Sequence, residues 1–208
     1  MCCQQTPSRP QESAVPPVQT FTGMVRYDNG FCSFKNCADG ALYLIADSTL
    51  SMFRFHKKAC EPAVCPDETA FAIVQGRLMK GADPRTDPGT LAIIRIDSMA
   101  GKNRENACFP VDYWCSGTEP FWSLQISKQE KALFFKEMSS ETGRTFDWAP
   151  PVEKNGILTY TVKNRQQPEQ TIVVTITPER CSDGMSDEVY PNTVTIRDGK
   201  TTWSGCAR

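Results

Sequence analysis

The chain has 208 residues, with 23 Lys and Arg against 24 Asp and Glu and a net charge of -1. That length allows two small domains with cores of their own, and the balanced charge excludes the strong field that draws nucleic acid or an anionic membrane surface. Ten cysteines exceed what a reducing cytosol favours and point to an oxidising compartment, while no apolar run reaches the roughly 18 to 20 residues of a membrane-spanning helix.

Cys2 follows Met1 directly, with no basic segment and no apolar signal region around it. Bacterial lipoproteins are cut just before a cysteine that then carries the acyl chains, so Cys2 is the expected lipidation site of a mature lipoprotein whose signal peptide has been removed. Residues 4–19, QQTPSRPQESAVPPVQ, hold four prolines with several Gln and Ser. Such a segment stays extended at about 3.1 Å per residue, so residues 1–19 read as a lipid-anchor cysteine and a Pro/Gln-rich tether.

From residue 20 the apolar pattern has period two. Strands are expected at FTGMVRY (21–27), ALYLIAD (41–47), SMFRFH (51–56), FAIVQGRLM (71–79) and TLAIIRID (90–97). Turn clusters separate them at Asp28-Asn29-Gly30, Ala38-Asp39-Gly40 and GADPRTDPG (81–89). A second series follows at FWSLQIS (121–127), KALFFKEM (131–138), ILTYTVKN (157–164), QTIVVTITPE (170–179), NTVTIR (192–197) and KTTWSGC (200–206). Asp198-Gly199 predicts a tight hairpin of type I′. The class is therefore all-β: a small barrel over 20–110, then a second antiparallel β-barrel or sandwich over 111–208.

Eight cysteines lie outside the tether: Cys32, Cys37, Cys60, Cys65, Cys108, Cys115, Cys181 and Cys206. Their number permits complete pairing, but spacing cannot choose the partners. The paired spacings Cys32-x4-Cys37 and Cys60-x4-Cys65 also fit the ligand count of a zinc site, against which stand the oxidising compartment and the lack of Gly-rich knuckles. No metal is expected.

The segment FTGMVRYDNGFCSFKNCADGALYLI (21–45) resembles the OB-fold domain of NlpE-type outer-membrane lipoproteins, a copper-homeostasis and surface-sensing family. That resemblance implies an OB barrel over 20–110 and a bridge from Cys37 to Cys108. The family's second small barrel with its C-x-x-C pair is missing, so its redox-sensing role does not carry over. SGTEPFW (116–122), CSDGMSDEVYPNTV (181–194) and SGCAR (204–208) resemble uncharacterised bacterial lipoprotein domains marked by a G-T/N-E-P-F-W motif. This second resemblance implies a bridge from Cys181 to Cys206. Cys60 with Cys65 and Cys32 with Cys115 remain by elimination.

No catalytic residue is assigned. His56, the single histidine, has no nucleophile in a recognisable motif and reads as a surface residue beside Lys57 and Lys58. Neither a phosphate-binding loop, a dinucleotide fingerprint nor a Ca²⁺ loop is present, so no cofactor is expected. In the GTEPFW segment, two roles stay open. Glu119, Phe121 and Trp122, with Asp183 and Met185 opposite, form a binding rim; or Gly117 and Pro120 shape a strand entry, Trp122 fills the core and Glu119 ties down the 185–187 loop.

The expectation is a monomeric, non-enzymatic envelope lipoprotein, held to the outer membrane by its N-terminal lipid and binding a protein, peptide or glycan, for surface sensing or envelope homeostasis. The alternatives are an inhibitor of a lysozyme or other hydrolase, and a copper or metal-homeostasis lipoprotein.

Overall fold

The computed structural model describes residues 15–28, 31–46, 51–79, 81, 89–185 and 187–208. Cys2, Cys3 and all but the end of the tether lie outside the described residues.

Five strands form the first unit: β1 (Gln19–Asp28), β2 (Phe31–Asn36), β3 (Leu42–Ala46), β4 (Thr69–Met79) and β5 (Thr90–Gly101). They close into a barrel in the order β1-β2-β3-β5-β4, with β3 and β5 parallel and the other pairs antiparallel. This is the five-stranded barrel order of an OB fold. Alternation sets the faces: Phe21, Val25, Phe34, Ala72, Val74 and Leu91 point inward to the core, so Met24 and Arg26 of β1 and Ser33 and Lys35 of β2 face outward.

Residues 51–56, expected as a strand, belong instead to helix α1 (Ser51–Cys60) between β3 and β4. The helix buries Met52, His56 and Cys60, four residues apart, and Met52 joins the barrel core. Phe53 and Phe55 caused the misreading: they alternate like strand residues, yet both are about half exposed. β2 lay outside the expected series, so the barrel still has five strands.

The second unit is a curled sheet. Its strands are β6 (Tyr113–Thr118), β7 (Phe121–Ser127), β8 (Ala132–Glu137), β9 (Arg144–Asp147), β10 (Val152–Lys154), β11 (Ile157–Lys163) and β12 (Thr171–Thr177). The short β13 (Cys181–Ser182) and β14 (Val189–Tyr190) form a separate pair, followed by β15 (Asn192–Asp198) and β16 (Thr201–Ala207). The order β10-β11-β12-β15-β16-β6-β7-β8-β9 is antiparallel throughout. It curls until β9 meets the end of β11, where Phe146 bridges Asn164 and Arg165 N donates to Thr145 O at 2.8 Å. Trp122, Leu124, Phe135, Phe146, Val174 and Trp203 meet inside the curl.

The final hairpin forms, with its turn shifted by one residue. Asp198 pairs with Thr201, so the loop is Gly199-Lys200, and only Gly199 has positive φ, +57°. That pattern matches a type II′ turn rather than the expected I′.

Two disulfides form, Cys37–Cys108 and Cys181–Cys206, with Cα separations of 5.3 and 5.4 Å. The first ties the end of β2 to the segment leading into β6. The second ties the β13–β14 pair to β16. The pairs left by elimination are not made: Cys60, Cys65 and Cys115 are buried free thiols. Cys32 sits on β2 of the barrel while Cys115 is enclosed in the core of the curled sheet, so no bond joins them.

Candidate ligand groove between barrel and sheet

The short segment between α1 and β4 docks the barrel on the curled sheet. Val64 pairs with Thr142 in an isolated parallel bridge, its N–H donating to Glu141 O at 3.2 Å and its carbonyl accepting from Gly143 N at 3.0 Å. Cys65 Sγ lies 3.4 Å from Phe135 O and 3.6 Å from Arg144 O. A β-carbon on Gly143 would stand 2.3 Å from that sulfur, so only glycine admits so close an approach.

A buried polar cluster lies beneath. The Glu68 side chain, 2% exposed, pairs with Lys136 Nζ of β8 at 2.8 Å and accepts from Cys65 N at 3.4 Å. Lys136 also donates to Cys60 O at 3.1 Å, and His56 Nε2 donates to Glu68 O at 2.8 Å. His56 is therefore a buried helix residue, not the expected surface one. Burial lowers its pKa, so it is neutral near pH 7. Burial also pushes the Glu68 carboxyl above its usual range despite the opposing pull of Lys136. The Cys60 thiol is pushed up to about 12, chiefly by burial, and Cys65 and Cys115 rise for the same reason. Such thiols are inert as nucleophiles or metal ligands at neutral pH. Among the described residues no group of three or more His, Cys, Asp and Glu is placed to hold a metal ion.

Next to this junction the outward face of β1, β2 and β3 and the facing part of the sheet line a groove of about 330 Å³. The barrel contributes Met24, Arg26, Ser33, Lys35 and Leu42. Opposite stand Gln129, Glu130, Lys131 and Phe134, from the β7–β8 turn and β8, and Arg165 from the β11–β12 turn. Phe109 closes one side. It follows Cys108, so the bridge to Cys37 holds it there, and Lys35 Nζ lies 4.0 Å from the centre of its ring.

The groove's two carboxylates are already engaged. Asp67 pairs with Arg165 at 2.9 Å and with Arg26 at 3.5 Å. Glu130 pairs with Lys102, whose side chain is 2% exposed, and accepts from Thr69 Oγ1 at 3.0 Å. Arg165 is further held by Asp147 at 2.8 Å and by Lys131 O at 3.1 Å. The walls are thus fixed by ion pairs that join barrel to sheet. A pocket of this size, with Met24, Leu42, Phe109 and Phe134 as an apolar patch among polar and charged walls, falls in the size range of small-molecule sites.

The expected rim residues divide. Glu119 and Asp183 line a second groove of about 480 Å³ beside the Cys181–Cys206 bridge, walled by Ser116, Thr193 and Ser204. Glu119-Pro120 is the two-residue turn between paired Thr118 and Phe121, its peptide bond cis. Phe121 and Met185 are exposed at 53% and 67% and line neither groove, whereas Trp122 is 2% exposed in the core. A β-carbon on Gly117 would lie 2.3 Å from Trp122 Nε1 and 2.6 Å from Ser204 O, so Gly117 makes room for the indole. Asp183 ties its own loop, accepting from Tyr190 OH and Met185 N at 3.0 Å each.

The junction groove escaped the sequence reading because its walls come from strands and turns as far apart as Met24 and Arg165, 141 residues along the chain. Lys35 and Phe109 beside cysteines 37 and 108 were the nearest signal. Comparison with family models, with curated proteins and with solved structures finds no match for this chain.

Proposed function

We propose that this chain is a non-enzymatic lipoprotein of the bacterial cell envelope, whose folded head binds a ligand in the groove between barrel and sheet as part of surface sensing or envelope homeostasis. The observation that carries this reading is the groove: a hollow with an apolar patch on the outward β1–β3 face, the face OB folds use for ligands, with walls fixed by ion pairs. Beside it the Cys60 and Cys65 thiols are buried and protonated, and the one histidine is spent on a backbone carbonyl. Two disulfides support an oxidising compartment. Cys2, with the Pro/Gln-rich residues after it, supports anchoring to the outer membrane. The likenesses to NlpE-type and GTEPFW-motif lipoproteins belong to the same reading.

The test is binding of N-phenyl-1-naphthylamine, an uncharged apolar fluorophore, to the full chain. Saturable binding at one site is expected. Ser33→Trp, which fills the groove from β2, is expected to abolish it, while Thr161→Trp on the exposed face of β11 leaves it unchanged. Binding that survives Ser33→Trp refutes the site.

A further inference from the structure

We infer that the ligand of the junction groove is a small amphiphile with an apolar body and one anionic group, a carboxylate or phosphate, held between Lys35 and Lys131. This rests on the groove being a ligand site.

The apolar part of the argument is the lining. Met24, Leu42, Phe109 and Phe134 face one hollow, and its volume of about 330 Å³ equals roughly eleven water volumes at ~30 Å³ each, room for a short chain or ring system. Leu42 is half exposed, a large apolar side chain at the groove mouth on a barrel with its own filled core. An apolar ligand body would cover it.

The charge comes from what is left after the internal pairs are matched. Asp67 is held by Arg26 and Arg165, and Glu130 by Lys102 and Thr69. A cationic ligand would have to compete for carboxylates that already have partners. Lys35 and Lys131 are different: among the described residues neither has a carboxylate within 4.0 Å, and Lys35 rests on the Phe109 ring instead. They stand on opposite walls, one on β2 and one in the β7–β8 turn, where Lys131 has φ +52° and its carbonyl is bonded by Arg165. Two unmatched cations across an apolar hollow complement one anionic head on an apolar tail.

The experiment is displacement of N-phenyl-1-naphthylamine from the full chain by decanoate, decyl phosphate, decanol and decylammonium, each below its micellar concentration. The anions are expected to displace the dye at about tenfold lower concentration than decanol, the sum of two partly exposed charge contacts, with decylammonium weakest. The difference between decanoate and decyl phosphate identifies the head group. Lys35→Gln combined with Lys131→Gln is expected to erase the anion advantage and leave decanol unchanged, which also shows that the variant is folded. Equal displacement by all four amphiphiles, or an anion advantage that persists in the double variant, overturns the inference and leaves the groove a neutral apolar site. Failure of the dye to bind the unmodified chain overturns the groove reading and this inference with it.

Discussion

Replacing Lys136 with Met removes the cation that faces Glu68 across the barrel–sheet junction. The Glu68 side chain is 2% exposed, its partner Nζ is 2.8 Å away, and Lys102, which also acts on it, is committed to Glu130. Stripping one partner from a buried pair costs about 3–5 kcal/mol when the remaining charge has to stay ionised. The carboxyl can escape by taking up a proton, and this makes the loss depend on pH. Burial already raises the Glu68 pKa, and without Lys136 it rises further. A carboxyl with a raised folded pKa binds a proton that the unfolded chain has released, so stability falls as pH climbs from the unfolded value of about 4.3 to the folded one. The slope is at most about 1.4 kcal/mol per pH unit. Lys136→Met is therefore expected to sit about 1 kcal/mol below the parent at pH 5, for the lost bond to Cys60 O, and about 3–5 kcal/mol below at pH 8. His56 gives an opposite slope below pH 6.5, and because Lys136 helps to lower its pKa the variant has the shallower of the two slopes, which widens the contrast between pH 5 and pH 8 in the same direction. Urea unfolding followed by tryptophan fluorescence at the two pH values measures this. Adding Glu68→Gln should recover most of the pH 8 loss. An equal loss at pH 5 and pH 8, or a double variant no more stable than the single one, would refute the reasoning.

Iodoacetamide should leave Cys60, Cys65 and Cys115 unmodified in the native protein and alkylate all three after denaturation without reductant; peptide mapping that finds a Cys60–Cys65 bond would contradict the thiol placement. Gly117→Ala should destabilise by about 1–3 kcal/mol, because its methyl meets the Trp122 ring and the Ser204 carbonyl, and a thermal shift within error of zero would show that the indole can move aside.

Strand positions were legible where one face is buried and the other wet. β12 and β15 alternate in sequence as they do in burial, since a strand turns successive side chains to opposite faces. Helix α1 broke that reading because its buried stripe, Met52, His56 and Cys60, was overwritten by exposed Phe53 and Phe55. The short β9 and β10 carry too few residues to show a period. In the GTEPFW segment, Gly117 makes room for Trp122 and Trp122 fills the core, while Glu119 and Asp183 line the same groove.

The cysteines separate local from global information most clearly. The bridges from Cys37 to Cys108 and from Cys181 to Cys206 followed from motif likeness, and the structure forms both. Elimination then failed for the rest, because an even count says nothing about which thiols the fold brings into reach. By itself the sequence determined the all-β class, most strands and the final hairpin, all consequences of side-chain alternation and turn chemistry within a few residues. Only the tertiary structure decided that three thiols stay buried and unpaired, that Glu68 meets Lys136, and that Lys35 and Lys131 line one groove. Those outcomes depend on how barrel and sheet dock, and docking joins residues too far apart in the chain for any local pattern to encode.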